Sequence, residues 1–93
     1  SNMGPDQVLF EEIAVNRLKE QFRGKTIREA EIQMLTQIPI IGLRYADGHY
    51  ALNPQPEVVL EAGMHIVILG NQEQVGHFSS VVLAKTNGSL KKN

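Results

Sequence analysis

The chain has 93 residues, a net charge of −1, no cysteine, and 42% apolar against only 5% aromatic residues. This describes one domain with a modest aliphatic core, stable by on the order of 5–10 kcal/mol, which burial against a partner would raise. The charge gives no basic field for nucleic acid or an anionic membrane. The lack of cysteine removes disulfides and thiolate metal sites, and no run nears the ~18 apolar residues of a membrane span.

Ser1-Asn2 ahead of Met3 reads as a cloning scar on a piece cut from a longer protein, and residues 1–7, with Gly4 and Pro5, read as a flexible lead-in. Val8 to Asn16 is the first expected strand, with Ile13 and Val15 on one face and Glu12, Ala14 and Asn16 on the other. A rival reading makes Asp6 to Phe22 a helix, since Leu9, Ile13 and Asn16 also fit helical spacing and the segment is rich in helix formers. Arg17 to Lys25 reads as a polar connection ending at Gly24. Thr26-Ile27-Arg28-Glu29 has the capping-box pattern, so a short helix starts here, with Ile27, Ala30, Met34 and Leu35 as its apolar stripe. It should stop near Thr36, because Pro39 disfavours helical backbone at Ile38.

Ile38 to Tyr45 and His49 to Leu52 flank Ala46-Asp47-Gly48, a strong hairpin signal because Asp and Gly tolerate the positive φ of a tight turn. In the first run Ile38, Ile40 and Gly42 face one way, and Ile41, Leu43 and Tyr45 the other. Both faces are therefore apolar. In so small a domain the second cover is either another helix or another subunit, so Ile38, Ile40, Ile41 and Leu43 are the candidate dimer interface. Asn53-Pro54-Gln55-Pro56 is a rigid turn, Glu57 to Leu60 can form a helical turn, and Met64 to Leu69 is an apolar strand after Gly63. Asn71 and Gln74 repeat the capping pattern. A last helix over about 72–84 carries Val75, Phe78, Ser79, Val82 and Leu83 on one stripe, Asn87-Gly88 ends it, and residues 85–93 read as a disordered tail. The fold class is α+β: a small mixed or antiparallel sheet with two helices, in the order β-α-β-β-β-α.

No catalytic constellation stands out. Gly24-Lys25-Thr26 resembles the end of a phosphate loop, but Lys19 occupies the position of the earlier glycine, so a turn and a helix cap explain it better. His49, His65 and His77 have no metal-ligand spacing, with His65 expected on the more exposed face of its strand and His77 on the solvent side of its helix. The acid pairs read as solvated surface. Arg44 and Asn53 lie beside Ile40, Ile41 and Pro54. A guanidinium, an amide and an apolar floor suit an anionic, ring-bearing ligand. Equally, they are a hairpin arginine in water and a turn asparagine bonded to its own backbone.

The ordered landmarks Phe22-Arg23-Gly24-Lys25-Thr26-Ile27-Arg28-Glu29, Ile40-Ile41-Gly42-Leu43-Arg44, Asp47-Gly48, Asn53-Pro54-Gln55-Pro56, Leu60-Glu61-Ala62-Gly63 and Ile66-Val67-Ile68-Leu69-Gly70 resemble the RCK C-terminal (TrkA-C) domain over roughly residues 9–84. The resemblance implies a domain over 8–84 that pairs as a homodimer on the cytosolic side of a potassium channel, potassium uptake system or other ion transporter. There it would answer a small-molecule or ion effector and bias the membrane-embedded part, with no enzyme activity, cofactor, metal or nucleic-acid partner of its own. The alternatives are a purely structural assembly module, or the same domain in an antiporter or anion transporter.

Two departures from the family pattern stand out. Met64 replaces the usual Asp at the last strand's start. The cyclic di-AMP subset resembles I-I-x-x-D-x-R-x5-N-[ILV]-P. Here Ile40, Ile41 and Pro54 match it, but Arg44, Ala46 and Leu52 stand where its Asp, Arg and Asn belong. Asn53 is displaced by one, which on a strand turns its side chain to the other face.

Overall fold

The computed structural model describes residues 4–86. Its elements are β1 (Leu9–Ala14), α1 (Ile27–Ala30), α2 (Ile32–Thr36), β2 (Gly42–Arg44), β3 (Tyr50–Leu52), β4 (His65–Gly70) and α3 (Gln72–Val82), with 3-10 turns at Val15–Arg17 and Glu20–Phe22. With α1 and α2 taken as one broken helix, this is the expected α+β order. The four strands form an antiparallel sheet in the order β1-β4-β2-β3. Apolar on both faces, β4 takes a central place, and Ile66, Val67 and Ile68 are all at most 1% exposed.

β1 forms as a strand and not as the rival helix, because antiparallel pairing along β4 uses its backbone while Ile13 meets Ile66 on the core side. The connection after it is not merely polar. Leu18 and Phe22 are fully buried, and the Lys19 N–H donates to the Val82 carbonyl at 2.8 Å, tying this segment to the end of α3.

The capping box at the first helix forms in full: the Glu29 N–H donates to Thr26 Oγ1 and the Thr26 N–H to Glu29 Oε1, each at 3.0 Å. The apolar stripe is a correction. Glu31 adopts φ 56°, a left-handed residue that ends α1 and rotates α2 relative to it. Ile32 and Thr36 therefore turn inward, while Met34 and Leu35 are left 60% and 44% exposed. The Thr36 hydroxyl donates to the Ile32 carbonyl at 2.7 Å and accepts the Ile38 N–H at 3.1 Å, which satisfies it in the core.

The strand expected from Ile38 to Tyr45 shrinks to Gly42–Arg44. Pro39 has no N–H for a ladder, and Ile38 instead turns into the core at 4% exposure. The expected two-sided apolar strand is corrected accordingly: Leu43 faces the helices, and its neighbours Gly42 and Arg44 face outward. The hairpin turns where expected, with Gly48 at φ 95° and its N–H on the Tyr45 carbonyl at 2.8 Å. Glu57 to Leu60 makes no helical turn. Glu57 closes a turn with the Val58 N–H on the Gln55 carbonyl, and Val58 to Leu60 runs extended beside 24–27, with the Gly24 N–H on the Leu60 carbonyl and the Ile27 N–H on the Val58 carbonyl, at 2.8 and 2.9 Å. α3 has its Asn71–Gln74 capping box, buries Phe78 and Val82, and ends at Val82. The Asn87-Gly88 stop lies outside the described residues. Phe78 and Val82 join Ala30 and Ile32 over Ile13, Leu43, Ile66 and Ile68 in one core, so the helices cover the same face of the sheet.

Candidate functional site

The broken helix and the turn over residues 54–58 enclose a groove of about 340 Å³ lined by Ile27, Arg28, Glu31, Ile32, Gln33, Met34, Ile40, Pro54 and Pro56. Backbone bonds set its walls. The Arg28 N–H donates to the Pro56 carbonyl at 2.9 Å, and the Asn53 N–H to the Ile41 carbonyl at 2.8 Å. Asn53 itself sits at φ 50°, a conformation asparagine tolerates better than most residues. The Arg28 guanidinium pairs with Glu57 at 2.7 Å, both side chains about two-thirds exposed (67% and 68%). That hydrogen bond holds the Glu57 carboxyl below its ordinary range.

Of the five residues proposed from sequence for a ligand, this groove unites Ile40 and Pro54. Ile41 is half-buried and Asn53 exposed, and neither lines it. Arg44 leaves the group entirely: it lies on the outward sheet face, bonded to Glu12. The guanidinium at the groove is Arg28, which in sequence stands within the capping box of a helix. Its position two residues beyond the Thr26 cap is the available signal. Of the four residues expected at a dimer surface, Ile38 and Leu43 are buried in the subunit's own core, at 4% and 0% exposure.

The outward sheet face has its own organisation. Arg44 Nε donates to Glu12 Oε1, and the Tyr50 hydroxyl to Glu12 Oε2, both at 2.6 Å. Register places Arg44 on β2, Tyr50 on β3 and Glu12 on β1, so these side chains lie flat across β4 and close over Val67, which is 1% exposed. The Tyr50 bond, then the Arg44 bond, lowers the Glu12 pKa, and the same carboxylate raises that of Tyr50. His65, between Ala14 and Arg44 in register, has a buried Nδ1 without a hydrogen-bond partner. At the hairpin tip His49 stacks on Tyr45 with ring centres 4.5 Å apart and pairs with Asp47 at 2.6 Å. Among the described residues no group of three or more His, Cys, Asp or Glu could hold a metal ion. Lys25, in the phosphate-loop-like stretch, donates to the Gln21 carbonyl at 3.0 Å.

The sequence profile of the TrkA-C domain matches residues 11–82. The chain belongs to the TrkA-C family. No curated protein matches this TrkA-C domain by sequence. Among solved structures it is similar to the GsuK channel bound to NAD, at 25% identity and TM-score 0.62, over 80% of this chain and 13% of that one. It is similar also to the RCK_C domain dimer of S. agalactiae BusR in complex with c-di-AMP, at 26% identity and TM-score 0.64, over 83% and 90% of the two chains. S. agalactiae BusR in complex with its busA-promotor DNA matches at 25% identity and TM-score 0.65, over 86% of this TrkA-C domain and 38% of that chain. Among the described residues no helix is long and apolar enough to cross a membrane.

Proposed function

We infer that this TrkA-C domain is a dimerising regulatory module that binds a small anionic effector and biases a potassium channel or ion transporter from the cytosolic side, with no catalysis of its own. The observation that carries the reading is the groove, with an apolar floor at Ile32, Ile40 and Pro54 and the exposed guanidinium of Arg28 at its lip. An apolar slot with one charged fork fits a flat ring joined to a phosphate or carboxylate. The effector's anion would replace Glu57 as the partner of Arg28. NAD, in the GsuK structure, and c-di-AMP, in the BusR structure, both join adenine to phosphates. In this chain the phosphate contact falls to Arg28, since Arg44 is committed to Glu12.

Such an effector regulates only if it binds one arrangement of the dimer better than another. The BusR–DNA structure favours a second reading of the output: the same sensing domain joined to a DNA-binding part. In either case the domain itself is the sensor.

Thermal unfolding with NAD or c-di-AMP tests the assignment. At a hundred times the dissociation constant a bound effector adds about 2.7 kcal/mol, or roughly 10–20 °C in a domain of this size. Arg28→Gln should weaken that response about ten- to a hundredfold in effector concentration. No stabilisation by either nucleotide, or a response that Arg28→Gln leaves unchanged, contradicts the site.

A further inference from the structure

The guanidinium that lines the groove is already engaged. Arg28 Nη2 donates to Glu57 Oε2 at 2.7 Å, and the backbone sets the two side chains opposite each other. The Arg28 N–H donates to the Pro56 carbonyl and the Ile27 N–H to the Val58 carbonyl, each at 2.9 Å, so Glu57 stands between two residues tied to the start of α1. Thr26 and Val59 continue that pairing. Parting the ion pair therefore takes only side-chain rotation, and the groove wall keeps its place. Glu31 is a second carboxylate on the groove, but it is not bonded to Arg28.

We propose that Glu57 is a built-in competitor for the effector's anion: it occupies Arg28 and raises the effector concentration at which the groove fills. The proposal rests on the effector reading of the groove given above and adds what sets the affinity of that site.

The alternative role for such a pair is a clasp joining α1 to the turn. Two observations argue against it. The side chains are 67% and 68% exposed, and ion pairs in water hold little together. The segments are also joined already by the backbone bonds between 24–28 and 56–60. What the pair does change is the availability of Arg28. The Arg28 bond holds the Glu57 carboxyl below its ordinary range, so Glu57 is charged at neutral pH and competes there at full strength.

The size of the effect follows. When only a fraction of the molecules is ready to bind, the apparent dissociation constant is the intrinsic one divided by that fraction. The range of exposed ion pairs corresponds to roughly a 1.5- to fivefold shift. A displaced Glu57 stays near the bound anion, because its backbone is held, and its like charge acts in the same direction.

Isothermal titration of the 93-residue chain with c-di-AMP and with NAD, for the wild type, Glu57→Gln, Glu31→Gln and Arg28→Gln, tests this. Glu57 is exposed, so the fold should hold, which melting without nucleotide checks. A dissociation constant lowered about two- to fivefold by Glu57→Gln, with a smaller change for Glu31→Gln, supports the proposal. An affinity that Glu57→Gln leaves unchanged or weakens, or an equal gain from Glu31→Gln, overturns it. In that case a loss of affinity in Arg28→Gln still upholds the groove as the effector site. No binding of either nucleotide to the wild type or to Glu57→Gln overturns both.

Discussion

Replacing Ile32 by alanine should cost the domain several times what the same change costs at Leu35, although both lie in α2. Ile32 is 1% exposed and packed in the core, whereas Leu35 is 44% exposed. Truncating a buried isoleucine to alanine loses the transfer free energy of its methyl groups and leaves a cavity, about 2–5 kcal/mol in all. At Leu35 much of the side chain is already in water and no closed cavity forms, so the cost is about 1 kcal/mol or less. Against a total on the order of 5–10 kcal/mol, Ile32→Ala consumes a large share of the stability and lowers the melting temperature by roughly 10–30 °C. Urea unfolding followed by circular dichroism, at one protein concentration, measures both. Equal losses, or a larger loss at Leu35, would mean that an unbroken helix runs from Ile27 to Thr36 with Met34 and Leu35 inward. That would remove the break at Glu31 that places Gln33 and Met34 on the groove wall.

Two further outcomes follow from the outward face. The folded-state pKa of Glu12 lies below the ordinary value for a glutamate because Tyr50 and Arg44 bond the carboxylate; the unfolded chain therefore takes up this proton first. Its contribution is complete above about pH 4.5 and is lost as pH falls from there through the lower folded value. Urea midpoints between pH 7 and pH 3 should show that decline, and Glu12→Gln should be less stable at pH 7 but decline less steeply in acid; an unchanged slope would refute this bonding. Gly42→Val should destabilise by about 1–3 kcal/mol by overpacking, since even a Cβ would meet Leu52 at 3.3 Å and the Ala51 carbonyl oxygen at 3.4 Å. A neutral result in the same urea assay would show that Leu52 does not lie over that position.

Much of the fold was legible because its signals are local. Thr26 with Glu29, Asn71 with Gln74 and Asp47-Gly48 each fix a cap or turn within four residues, and each forms in the structure. The misreadings arise where a distant contact overrides local preference. Glu31 takes a left-handed conformation that its residue type does not announce, and one such residue is enough to exchange Met34 and Leu35 for Ile32. Ile38 reads as strand by composition, yet beside Pro39 it has more to gain by turning into the core. Val58 and Val59 gain an extended partner in the 24–28 segment that no short window reveals. The site was half legible for the same reason. Ile40 and Pro54 converge because the hairpin returns the chain to its starting edge. The missing cation came from a helix start separated from them in sequence, and Arg44 was claimed by Glu12 across the sheet, a carboxylate 32 residues away.

The central claim is that effector binding belongs to the groove between α1, α2 and the 54–56 turn. Amide spectra of the isotope-labelled domain, titrated with c-di-AMP and separately with NAD, test it most directly. The account predicts saturable shifts, for at least one of the two, concentrated at residues 27–34, Ile40, Ile41 and Gln55 and largely lost in Arg28→Gln. Shifts centred on the 45–50 hairpin tip or confined to the outward face, or none with either nucleotide at millimolar concentration, would contradict it.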